Sequence, residues 1–121
     1  MEKIVCINGW TKEKVLAQVK RNFIGVSKVP GVGNGCAYLD AQGRKCLVGC
    51  FIPSNRPAAR RFPGGVGDLL EHFPTLTKLM PFDFDGLSRM QSFHDGELKS
   101  QYADPNEQKA HALQWIKDNV Q

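Results

Sequence analysis

Apolar residues recur at helical spacing in four stretches of the chain, and a fifth stretch is apolar at almost every position. Val15, Leu16, Val19 and Phe23 share one face of a helix predicted from Thr11 to Phe23, with Lys12, Lys14, Lys20 and Arg21 on the other faces. Gly25 supplies its stop. Val66 to Phe73 predicts a short helix closed by Pro74. Leu76, Leu79 and Met80 are expected to pack beneath the connecting segment. Asp85 to Asp95 predicts a third helix, capped by Asp85, with Leu87, Met90 and Phe93 inward and Gly96 after its end. Asp104-Pro105-Asn106-Glu107 is a start signal for the fourth. Asp104 can cap, Pro105 suits the first helical position, and Glu107 can reach back to the cap amide. That last helix is expected to bury Ala112, Leu113, Ile116 and Val120.

Two regions read as strands. Met1 to Ile7 predicts a short first strand with Asn8-Gly9 as its turn. Cys36 to Leu39 and Lys45 to Ile52 are strand-like, and Asp40-Ala41-Gln42-Gly43 between them supplies turn chemistry, so the pattern predicts a hairpin ended by Pro53. Val26 to Gly35 and Ser54 to Gly65 carry the prolines and glycines expected of irregular segments. The expected fold is therefore α+β, a small antiparallel β-hairpin or sheet packed against about four helices, in a single domain over residues 1–121.

Length and composition fit that expectation. A chain of 121 residues with 41% hydrophobic and 23% charged residues can bury a core without disulfides or metal. The longest apolar run, Cys46 to Ile52, is far too short to span a bilayer, and the first residues lack a signal-peptide pattern. A cytoplasmic location with the four cysteines as thiols is the expectation. Net charge is +4, divided unevenly: residues 1–61 carry +8 and residues 62–121 carry −4. A basic half suggests an anionic partner, unless the two halves face and neutralise one another.

Three kinds of chemistry are candidates. The first is anion binding. Arg56, Arg60 and Arg61 precede Gly64, Gly65 and Gly67 at a predicted helix start, where backbone amides and guanidinium groups can hold phosphate or carboxylate. The glycine-rich run Gly31 to Gly35 lacks the Lys-Ser/Thr of a phosphate loop and feeds a strand, so it reads as a turn. The second is thiol catalysis, for which Cys36, Cys46, Cys50, His94 and Asp95 are the candidate residues. Cys46, beside Arg44 and Lys45, is the best nucleophile by local charge. His94 and Asp95, as neighbours on one helix, are expected to point in different directions. The third is a metal centre. The spacings Cys36-x9-Cys46 and Cys46-x3-Cys50 do not form a zinc knuckle, and no metal or other cofactor is expected.

Cys36-x-Tyr38 followed by Gly43-x-Lys45-Cys46-x-x-Gly49-Cys50-x-Ile52-Pro53, with Gln91-Ser92-Phe93-His94-Asp95 later, resembles a pattern in small uncharacterised proteins of bacteria and their phages. That group has a Cys-x-Tyr strand, a Lys-Cys-x-Val-Gly-Cys-x-Ile-Pro strand and a Gln-x-x-His-Asp helix. An acidic pair often follows Ile-Pro there; Ser54-Asn55 stands at that point here. The resemblance implies a type of genome more than a reaction. The resulting expectation is a non-catalytic accessory protein of phage or mobile-element type, an inhibitor or sequestering protein in the (host) cytoplasm. It would bind an anionic partner: nucleic acid, a nucleotide signal, or a host protein that handles either. The alternative is a cysteine-dependent hydrolase or transferase using Cys46 or Cys36 with His94.

Overall fold

The computed structural model describes residues 2–27 and 37–121. The glycine-rich run 31–35 and Cys36 lie outside the described residues. The elements in order are α1 (Lys12–Asn22), a 3₁₀ turn (Val48–Phe51), α2 (Pro57–Arg60), α3 (Val66–His72), a second 3₁₀ turn (Pro74–Lys78), α4 (Phe84–Phe93), a π-helical segment (His94–Leu98), α5 (Lys99–Gln101) and α6 (Pro105–Asn119). No sheet is present among the described residues; helix accounts for 58% and strand for 2%. The expected α+β class with its β-hairpin is therefore corrected to a helical fold.

The hairpin fails for a specific reason. Its turn does form: Gly43 adopts φ +80°, its amide bonds the Asp40 carbonyl at 3.1 Å, and the Asp40 amide bonds the Arg44 carbonyl at 2.9 Å. Asp40 locks the turn from within. One carboxylate oxygen accepts the amides of Gln42 and Arg44, and the other meets Arg44 Nε at 2.7 Å. Beyond the turn no ladder follows. Cys46 to Ile52 are all buried, so the run has no wet face. Burial on every side suits a tight helical turn through the core as well as a strand, and periodicity cannot separate the two in seven residues. The helical turn also lets Gly49 sit against the Tyr38 backbone, where a Cβ on Gly49 would lie 2.1 Å from the Tyr38 carbonyl oxygen.

The first strand is likewise reduced to one parallel bridge, Ile4 with Val120. Ile4 donates to the Asn119 carbonyl at 2.7 Å and accepts from Gln121 at 2.8 Å. The Asn8-Gly9 turn is present, with both residues at positive φ. Asn8 and Trp10 then pin it to the second 3₁₀ turn, donating to the carbonyls of Thr77, Met80 and Leu79.

The helices follow their sequence signals closely. Thr11 caps α1 through the Lys14 amide, and Asp104 caps α6 through the Glu107 amide; each cap contributes about 1 kcal/mol. The cap of α4 is Asp83 rather than Asp85, accepting from the Gly86 amide at 2.9 Å. Gly96 does not end that helix. The rod continues through the π-helical segment into α5, because a π turn absorbs one extra residue without breaking the hydrogen-bonded path. The basic segment contains one regular turn, α2, opened by Pro57 at its first position.

Val15 and Val19 of α1, with Phe23 at its C-terminal cap, join Ala112 and Ile116 of α6 in the apolar core, each large side chain contributing about 1.5–3 kcal/mol on burial. The two helices run antiparallel, and each supplies a lysine to the other's last turn. Lys12 Nζ donates to the Lys117 carbonyl at 2.7 Å, and Lys109 Nζ donates to the Lys20 carbonyl at 2.8 Å. Both ammonium groups meet the negative end of a helix dipole. Among the described residues no helix is long and apolar enough to cross a membrane.

Gly49→Ala is expected to destabilise the protein by about 3 kcal/mol or more, because the new methyl meets backbone rather than a movable side chain. A urea unfolding midpoint unchanged from the parent protein would refute the close approach of Gly49 to Tyr38.

Candidate functional site

The rod formed by α4, the π-helical segment and α5 places Gln91, His94 and Asp95 together. His94 is fully buried, edge-on to the Phe23 ring with centroids 6.3 Å apart. Its Nδ1 lies 3.1 Å from Asp95 Oδ1. Gln91 Nε2 donates to that same oxygen at 3.2 Å. Neighbours on a helix ordinarily diverge, yet these two side chains meet. Asp95 folds back across the rod at the point where the π turn begins, with its side chain half exposed. A carboxylate on Nδ1 holds the proton on that nitrogen and leaves the lone pair on Nε2.

Asp95 also faces a small cleft of about 190 Å³. Tyr38, Pro63, Gly64, Gly65 and Gln91 line the rest of it. Tyr38 Oη donates to the Gly64 carbonyl at 3.0 Å, tying the segment that begins at Ala37 to the start of α3. Gly64 is fixed in turn by the Phe62 ring, which a Cβ would meet at 2.5 Å. Gly65 is open, with nothing within 4 Å of a Cβ there. Ala37, the covalent neighbour of Cys36, lies in the same wall.

Of the thiol candidates, the structure brings His94 and Asp95 together and sets the described cysteines apart from such a role. Cys36 is outside the described residues. Cys46 is fully buried, and its Sγ accepts the Gly49 amide at 3.2 Å. Cys50 is 2% exposed. Burial pushes its thiol up from 9.0 to about 12, against the smaller opposing pull of Lys45, Lys109 and Arg60. Cys6 is raised by burial and by Glu13. Neither Cys6 nor Cys50 has the lowered pKa of a working nucleophile. Among the described residues no three His, Cys, Asp or Glu side chains converge as a metal site.

Of the anion candidates, Gly64 and Gly65 line the cleft, whereas the arginines do not. Arg60 Nε donates to the Ile52 carbonyl at 3.2 Å, and Arg56 Nη1 to Thr75 Oγ1 at 2.8 Å. Arg61 is exposed. Gly67 lies against the Phe84 ring. A larger basic group sits at the last turn of α1. There Lys109 holds the Lys20 carbonyl, Lys45 Nζ reaches Asn22 Oδ1 at 3.4 Å, and Arg21 reaches Gln18 Oε1 at 3.4 Å.

Sequence reasoning quoted Gln91 and Tyr38 within the resemblance but gave them no role at a site. The signal for Gln91 was available: it stands four residues before Asp95, the spacing that puts two helical side chains on one face. The His94–Asp95 contact had no such signal, because neighbours on a helix do not ordinarily face each other. Comparison with known protein families, curated proteins and solved structures gave no match.

The Cys50 thiol carries a pH signature. Its folded pKa lies above its unfolded one, so the folded state retains a proton that the unfolded state loses. The associated stability is complete below pH 9.0 and is lost progressively as pH rises from there towards about 12. Cys50→Ala is expected to flatten this alkaline loss in unfolding midpoints measured from pH 8 to 11. An unchanged slope would show that Cys50 does not cause it.

Proposed function

We propose that the protein is a cysteine-dependent hydrolase or transferase, with Cys36 as nucleophile and His94 as its base. The observation that carries this reading is the contact of His94 Nδ1 with Asp95 Oδ1 at the wall of a cleft that also includes Ala37. A histidine oriented by a carboxylate is the arrangement that activates a thiol. In the reaction, His94 Nε2 takes the proton of the thiol and the thiolate attacks an acyl carbon. The proton passes from Nε2 to the departing amine or alcohol, leaving a thioester. Water, or a second acceptor in a transferase, gives its proton to Nε2, displaces the sulfur and releases the acyl product. The same nitrogen then gives that proton to the departing thiolate and restores the thiol. Gln91 steadies the carboxylate that orients the imidazole.

A second reading is favoured by the cations gathered at the last turn of α1. Lys20, Arg21, Lys45 and Lys109, with Arg60, would engage an anionic partner such as nucleic acid, a nucleotide or a host protein, as expected of an accessory protein of phage type. The hydrogen bonds of Arg21, Lys45 and Lys109 end on carbonyl or amide oxygens rather than carboxylates, which supports this use.

For the first reading, iodoacetamide at pH 7 is expected to modify Cys36 at least about tenfold faster than Cys6, Cys46 or Cys50 in the folded protein. Asp95→Asn should slow that reaction by on the order of 10²-fold by upsetting the imidazole tautomer. Equal, slow modification of all four thiols would exclude the enzyme. For the second, Arg21→Ala with Lys45→Ala should weaken binding to a DNA or RNA oligonucleotide and reduce its salt slope by about 0.7–0.9 for each phosphate no longer neutralised. Binding and salt slope unchanged from the parent protein would remove that surface from consideration.

A further inference from the structure

We infer that residues 2–7 accept a strand from another protein: an extended peptide segment bearing a basic side chain, laid along the open backbone edge at Lys3 and Val5. Neither Cys36 nor the cations at the end of α1 take part in this surface.

The backbone there has one occupied edge and one open one. Ile4 commits both its amide and its carbonyl to the end of α6, through the bridge with Val120. In extended backbone successive residues present their N–H and C=O groups to opposite edges. Those of Lys3, Val5 and Ile7 therefore belong to the edge away from Val120. On that edge the Ile7 amide finds the Pro81 carbonyl at 2.8 Å. The N–H and C=O groups of Lys3 and Val5 have no hydrogen-bond partner among the described residues, and both residues are exposed. An edge with alternating unmet donors and acceptors is a template for another extended chain, whose own groups alternate in the same way.

The surroundings of the edge narrow the occupant. Past Pro81 the chain turns into α4, and a groove of about 560 Å³ lies between the first turns of that helix and the first residues of the chain. Val5, 60% exposed, and Ile7 line it and offer apolar contact to alternate side chains of an added strand. Carboxylates outnumber cations in the lining: Glu2, Asp83 and Asp85 stand against Lys3 and Arg89. Arg89 Nη1 donates to the Glu2 carbonyl at 3.0 Å, and Asp83 accepts the Gly86 amide. The carboxylates of Glu2 and Asp85 make no hydrogen bond or ion pair among the described residues. A basic side chain on the incoming strand therefore meets an uncommitted carboxylate here. A second copy of this chain fits less well, because it would bring its own Asp83 and Asp85 to the same acidic wall.

The test pans a phage-displayed library of random eight-residue peptides against the intact protein and follows a selected peptide as a synthetic copy. Selected sequences are expected to place Val, Ile or Thr at alternate positions and to carry Lys or Arg. Bound peptide should slow hydrogen exchange at the Lys3 and Val5 amides by at least about tenfold. N-methylation of a peptide amide that faces the edge should weaken binding about tenfold, while the next amide along tolerates it. Val5→Pro removes one edge donor and breaks no hydrogen bond of the fold, so it should weaken binding to a similar degree with the thermal midpoint in place. Exchange and N-methylation are read on the unaltered protein, so the outcome does not depend on that variant folding. Asp85→Asn should reduce the preference for basic peptides. Absence of any enriched peptide, or binding that leaves exchange at Lys3 and Val5 unchanged, would overturn the strand edge. Enrichment of acidic peptides would overturn the charge preference. Protection of those two amides by protein concentration alone would overturn the foreign peptide in favour of a second copy.

Discussion

The approach of Gly49 to the Tyr38 carbonyl is the contact on which the remaining architecture turns. It brings a wholly apolar run, Cys46 to Ile52, against the backbone that leads into the Asp40 turn. No side chain could occupy that space, so the two segments meet backbone to backbone without forming a ladder. Tyr38 is thereby oriented so that its hydroxyl reaches Gly64, and Gly64 is held from behind by Phe62. Core packing around a single glycine thus fixes one wall of the cleft. The other wall comes from the rod that carries Gln91 and Asp95. The site is accordingly built where two independent packing decisions meet, which is a common way to hold reactive groups rigidly.

Signals in the sequence are legible where they have a local cause. Thr11, Asp104 and Pro105 mark helix starts through their own side-chain and ring chemistry, and the structure places those starts where the residues indicate. The Asp40 turn is legible for the same reason. The hairpin is not, because whether flanking segments pair is decided by distant partners. Cys46 to Ile52 found α1, α4 and the Tyr38 backbone instead of a neighbouring strand. Asp83 rather than Asp85 caps α4, a choice between two equivalent side chains that one residue of chain direction decides.

The candidate site is legible in its parts and not in its assembly. His94 and Asp95 are identifiable as reactive types, yet a regular helix would separate them. They meet at the start of the π-helical segment, and nothing in His94-Asp95-Gly96 announces a π turn. Gly64 and Gly65 are recognisable as a backbone surface, but the charge facing them belongs to a residue thirty positions further on.

The paired lysine contacts between α1 and α6 have a mechanical meaning. Apolar stripes hold helices together but tolerate sliding, since one aliphatic contact replaces another at modest cost. Lys12 and Lys109 grip opposite ends of the antiparallel pair. A displacement of one helical turn, about 5.4 Å, would pull both ammonium groups off their carbonyls at once. The pair therefore works as a ruler with a stop at each end: the hydrophobic stripe keeps the helices in contact, and the two stops define where along each other they rest. Because Ile4 is bonded to the residues at and just beyond the α6 end, that same setting determines where the first residues of the chain lie.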